Sequence, residues 1–154
     1  NIININKKNL QNKIDNKRDL LQNINHYFDF KLRNISDSIE KSTRKDMIFE
    51  IIMMRFDILQ KHRKAVKSIF NSLKKKPHEL ILFLPNLLNS MIIMLGYTKK
   101  NKKSIARNLR AKGVLIIYIL TFLIWLKDEN QDLDKTMQAL DDNLTKVDKI
   151  LSFI

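Results

Sequence analysis

Only two glycines and two prolines occur among 154 residues, and there is no cysteine. Tight hairpin turns rely on glycine at positive φ, so a chain this poor in both punctuating residues is a weak match for a β-sandwich or barrel. The same scarcity argues against a glycine-rich phosphate loop. Lack of cysteine excludes a disulfide scaffold, a thiolate zinc site and a cysteine nucleophile. Helices joined by short polar connections remain, and a hydrophobic fraction of 44% is enough for a packed core. At this length one compact unit is expected.

Hydrophobic periodicity places the helices. Asn6 suits the cap of a short helix from Lys7 to about Ile14, broken at Asp15 and Asn16. Leu20, Leu21, Ile24, Tyr27, Phe28, Leu32, Ile35 and Ile39 recur every three or four residues, which predicts one long amphipathic helix from Lys17. Thr43 followed by Asp46 reads as a capping box with Asp in place of Glu, opening a helix whose apolar set is Ile48, Ile51, Ile52, Phe56 and Leu59. A helix around Ala65 to Leu73 runs out into Lys74, Lys75 and Lys76, and Pro77 suits the first turn of the next. That next helix, to about Leu95, is apolar on nearly every side, which predicts burial against several neighbours. Pro85 should kink or split it, and Gly96 should end it. Ser104 opens a helix that carries GVLIIYILTFLIWL, Gly113 to Leu126; KDENQD then turns the chain into a last helix marked by Leu133, Met137, Leu140, Leu144, Val147 and Leu151. The apolar run falls short of the roughly 18 to 20 residues of a spanning helix, so a buried helix of a soluble protein is expected there.

The net charge of +13 points toward an anionic partner, nucleic acid or lipid headgroups. A compositional origin competes: Lys, Ile and Asn supply 60 residues while Arg supplies 7 and Ala 4, the bias an AT-rich genome imposes on any fold. The excess is uneven, +16 over residues 1–112 and −3 over residues 113–154.

Catalytic groupings are scarce. His26, His62 and His78 fall on different predicted segments, and none has a second ligand at the four-residue spacing that would place two on one helix face. Asp132 with Asp134, and Asp141 with Asp142, read as solvated charge on a turn and an exposed face. No enzyme activity, cofactor or metal is expected.

From Asn4 to Leu21 the chain resembles the end of a TetR-type helix-turn-helix, in which a turn and a recognition helix lead into a helix that begins with Lys and carries a Leu pair. Ile5, Asn6, Leu10, Lys17, Leu20 and Leu21 fit that pattern, whereas Gln11 stands where the family has Tyr and Ile14 where it has Phe. The two helices that precede the turn in that family are missing from the sequence. The resemblance implies DNA contact through Lys7, Lys8, Gln11, Asn12 and Lys17, residues of the type that touch phosphates and base edges.

A second resemblance covers residues 43–151. MIFEIIMMRFDIL (Met47 to Leu59) followed by HRKAV, LPNLLNSM (Leu84 to Met91), RAKG (Arg110 to Gly113) with Ile117 and Tyr118, WLKDENQDL (Trp125 to Leu133), and Thr136, Met137 and Leu140 occur in order. Together they are similar to a TetR-fold family of lipid-binding proteins associated with coenzyme Q (ubiquinone) biosynthesis and to its bacterial relatives. The resemblance implies an all-α TetR-like bundle, with residues 1–40 a helix-turn-helix remnant plus connecting helix and residues 41–154 a ligand-binding and dimerisation domain. It also implies a homodimer through the last two helices and an apolar cavity for an isoprenoid or quinone-like lipid. The expected lining is Met54, Leu84, Leu88, Met91, Tyr118 and Phe122. The methionines are expected to give the cavity adaptable walls, and Tyr118, Phe122 and Trp125 form an aromatic stripe that lines a cavity or fills a helix interface. Lys99, Lys100, Lys102 and Lys103 add attraction to a membrane surface. The expected role is a non-enzymatic auxiliary of ubiquinone biosynthesis, cytoplasmic and peripheral to the membrane. The alternative is a ligand-responsive transcription regulator that binds DNA as a dimer once its N-terminus is completed.

Overall fold

A computed structural model describes residues 17–40, 42–97 and 104–152. The short helix expected over 7–14, with Lys7, Lys8, Gln11 and Asn12, lies outside the described residues, as do Lys99, Lys100, Lys102 and Lys103. The described chain is all-α: α1 (Lys17–Arg33), a 3-10 turn (Ser36–Ser38), α2 (Arg44–Lys61), α3 (Arg63–Lys74), α4 (Pro77–Tyr97), α5 (Ser104–Trp125) and α6 (Asp134–Ser152). α5 packs between α4 and α6, while α1 lies across α2 and α4. One core joins Phe28 and Leu32 of α1, Ile51, Ile52 and Phe56 of α2, Met91 and Met94 of α4, Tyr118 and Trp125 of α5, and Leu140 of α6.

Local chemistry sets the helix ends. α1 stops at Arg33 instead of continuing to Ile39, because the Ser36 and Ser38 hydroxyls donate to the carbonyls of Arg33 (2.9 Å) and Ile35 (2.7 Å). Such side-chain bonds offer the backbone an alternative to the helical ladder. The expected capping pair is formed: Thr43 accepts the Asp46 backbone N–H at 3.2 Å and donates its hydroxyl to the Asp46 carboxylate at 2.5 Å.

α4 departs from expectation in three ways. It runs unbroken through Pro85, so the proline does not split it. The ring removes the bond that an N–H here would give to the Ile81 carbonyl, and both residues are exposed, where water can replace it. Gly96 is helical, with no positive φ, and the helix ends one residue later. The apolar surface of α4 is also only partly covered: Ser90, Met91 and Met94 are buried, but Ile81 is 65% and Leu82 50% exposed. α5, too, leaves Leu109, Ile116, Leu120, Leu123 and Ile124 exposed, so neither apolar helix is a fully buried core element. By length and composition alone, α4 and the stretch Asn108–Trp125 would each suffice to cross a membrane.

The α5–α6 turn is organised by one carboxylate. Leu133, at φ 57, precedes α6 and has no side-chain oxygen to cap it. Asp128 supplies one from the end of α5: Oδ2 accepts the Thr136 N–H (2.9 Å) and hydroxyl (2.8 Å), and Oδ1 accepts the Asn130 N–H (3.2 Å). Burial alone would raise the Asp128 pKa, but these bonds and Lys135 outweigh it and hold the carboxyl below its ordinary value. The folded state therefore gains stability from Asp128 above the ordinary aspartate pKa of about 3.9 and loses it as pH falls through the lowered one. Asp128→Ala should cost about 1–2 kcal/mol at neutral pH, as lost helix caps do, and should lose less stability than the parent on acidification below about pH 4. Urea unfolding at neutral and acid pH measures both.

Candidate functional site

α1 to α5 line a half-open cavity of about 380 Å³. α1 contributes Leu21, Ile24, Asn25 and Phe28; α2 contributes Arg55 and Leu59; α3 turns its whole apolar face inward with Val66, Ile69, Phe70 and Leu73. α4 adds Leu80, Ile81, Phe83, Leu84 and Leu87, and α5 adds Tyr118, Ile119, Phe122 and Leu123. The volume falls in the range of about 300–1,000 Å³ of small-molecule sites. Its walls are hydrocarbon except where Asn25, Arg55 and Tyr118 close one side. Apolar walls give water no partners, so such a space favours an apolar guest.

The polar side is a buried network. Arg55 pairs through Nη1 with the Asp29 carboxylate, donates from Nη2 to Asn25 Oδ1 at 2.7 Å, and donates from Nε to the Tyr118 hydroxyl at 3.3 Å. The Ser90 hydroxyl donates to Asp29 at 2.8 Å, and the Asn25 amide donates to Asn86 Oδ1 and Ser90 Oγ, both at 2.7 Å. Burial alone would lower the Arg55 pKa; Tyr118 and Asp29 more than offset this, so the guanidinium stays charged. An ion pair this deep needs every remaining donor and acceptor engaged, and here four helices supply the partners.

Of the six residues expected to line a cavity, Leu84, Tyr118 and Phe122 do so. Met54, Leu88 and Met91 are not among the lining residues. Met91 is fully buried in the core, and Met54 and Leu88 pack against it half-buried. The methionine walls are likewise absent, since Met53 and Met94 also belong to the core packing and Met137 is exposed. Leu and Phe line the space instead. Thioether flexibility serves gap-filling under the cavity.

The aromatic stripe of α5 divides between both roles. Tyr118 stacks on Phe56 (5.4 Å between centroids) and Phe122 meets Phe70 edge-on (5.5 Å), both at the cavity wall. Trp125 is buried at the helix interface, where its Nε1 donates to Gln60 at 3.1 Å and Arg63 lies 4.8 Å from its ring. Of the proposed DNA contacts only Lys17 falls among the described residues, as the first residue of α1. His26, His62 and His78 are all exposed, and Asp141 pairs with Lys45 at 2.8 Å.

Sequence reasoning missed the Arg55 network. Its trace was present: a lone Arg inside the apolar run MIFEIIMMRFDIL, with Asn25 and Asp29, and Asn86 and Ser90, each four apart on a helix face. Arg55→Met should cost about 3–5 kcal/mol by stranding the Asp29 charge, whereas the double change Arg55→Met with Asp29→Leu should recover most of it. Guanidinium unfolding of the single and double variants reads this coupling. Comparisons with protein-family models, with curated proteins and with solved structures find no match to this chain.

Proposed function

We propose that the protein is a non-enzymatic binder of an apolar, isoprenoid-like lipid, and that it serves ubiquinone biosynthesis by holding a quinone precursor. The observation that carries this reading is the hydrocarbon-walled cavity of about 380 Å³ between α1 and α5. Each methylene moved from water into such walls contributes about 0.8 kcal/mol, so a few isoprene units suffice for useful affinity. The assignment to ubiquinone biosynthesis rests on the resemblance of residues 43–151 to the TetR-fold lipid-binding family.

A homodimer through α5 and α6 belongs to this reading. Leu109, Ile116, Leu120 and Leu123 form an exposed stripe along α5, with Gly113 at the same register. A Cβ at Gly113 would meet nothing within 4 Å in its own chain. A helical glycine costs about 1 kcal/mol relative to alanine, and close approach of a second helix is a reason to keep it there.

Lipid extraction from the purified protein, followed by mass spectrometry, tests the ligand. An isoprenoid or quinone lipid at near-stoichiometric amount is expected; an empty protein that also takes up no polyprenyl probe would remove the proposal. Leu84→Trp, which places an indole in the cavity wall, should weaken probe binding at least tenfold with the helical circular dichroism unchanged. Leu120→Asp should convert a dimer to a monomer in analytical ultracentrifugation, and an unchanged sedimentation coefficient would remove the dimer from the reading.

A further inference from the structure

The elbow between α3 and α4 combines three features. Lys74, Lys75 and Lys76 are exposed there, and of the three only Lys76 has a carboxylate partner among the described residues, Glu79 at 3.2 Å. Along α3, Lys64 is exposed and Lys67 half-buried, and the helix contains no acidic residue. Directly after the lysines, the first turns of α4 present Ile81, Leu82 and Leu84, respectively 65%, 50% and 38% exposed. Two of these, Ile81 and Leu84, also line the cavity, so the exposed apolar patch is continuous with its wall.

A polar ligand has no use for the leucines, and a purely apolar partner has none for the lysines. A bilayer with anionic headgroups matches both, because cations collect at its surface while aliphatic side chains enter the acyl boundary below. We propose that the α3–α4 elbow docks the protein on an anionic membrane, with Leu82 and Ile81 inserted, Lys74 and Lys75 on headgroup phosphates, and the cavity mouth facing the bilayer. An apolar chain then passes between membrane and cavity without crossing water. The passage rests on the lipid-binding reading; the docking surface does not.

The test is co-sedimentation of the full chain with vesicles of about three parts phosphatidylcholine to one part phosphatidylglycerol, and with phosphatidylcholine alone. Binding to the anionic vesicles is expected, weaker by roughly fivefold for each of Lys74→Gln and Lys75→Gln, the worth of one charge at such a surface. Leu82→Asp, at a position outside the cavity lining, should abolish it while leaving uptake of a polyprenyl probe from solution unchanged. Equal sedimentation of Leu82→Asp and parent, or no sedimentation of the parent with either vesicle, overturns the proposal. A change in oligomeric state on Leu82→Asp also overturns it, since the patch would then cover another copy of the chain. Sedimentation of the parent lost in Leu82→Asp, from a protein that takes up no probe, sustains the docking surface and removes the lipid-binding reading instead.

Discussion

Arg55 sits fully buried in the middle of an apolar helix, where an isolated charge would cost far more than the fold can supply. The surrounding architecture answers that constraint. Asp29 and Asn25 come from α1, Asn86 and Ser90 from α4, and Tyr118 from α5. An apolar core tolerates sliding, whereas this set of bonds closes in one register only. Relative placement of α1, α2, α4 and α5 is therefore fixed by polar geometry, and the cavity between them inherits a defined shape.

The same arrangement separates two kinds of apolar surface. Side chains facing Arg55 and Phe56 are packed and closed to solvent, while Ile81 and Leu82 on α4 and Ile116 and Leu120 on α5 are left open. Contiguous exposed aliphatic patches, unlike single scattered residues, are the kind of surface that marks interaction sites. Lys74, Lys75 and Lys76 lie beside the α4 patch, and Arg110 and Lys112 lie beside the N-terminal part of the longer stripe on α5. The two patches lie on different helices, and only the α4 patch is continuous with the cavity wall through Ile81 and Leu84.

The helices among the described residues are legible in the sequence because period-3.6 patterns, the Thr43–Asp46 cap and Pro77 are local signals. The end of α1 at Arg33 was not, since apolar residues at 35 and 39 continue the period while two serine hydroxyls quietly compete for the backbone. The aromatic positions on α5 are legible as a stripe, but which neighbour each ring meets depends on α2 and α3 packing, as Phe56 and Phe70 show. Half of the cavity residues named from sequence line the space; Met54, Leu88 and Met91 lie on helix faces turned toward the core, a rotation that periodicity alone leaves undetermined. Hydrophobicity alone predicts burial of α4, but the neighbouring helices cover only part of its surface and leave Ile81 and Leu82 exposed.

Pro85 divides α4 into two mechanically different halves. Past it, Asn86 and Ser90 are tied to Asn25 and Asp29, and Met91 and Met94 are locked in the core. Before it, residues 77–84 hold no bond of that network, and the ladder joining them to the rest of the helix lacks the rung that the proline nitrogen cannot make. Leu80, Ile81, Phe83 and Leu84 of this half line the cavity. Local opening in a folded protein follows the segments with the least to lose, so the amides of this half should exchange with solvent deuterium well ahead of those beyond Pro85, and the cavity can breathe without disturbing its floor.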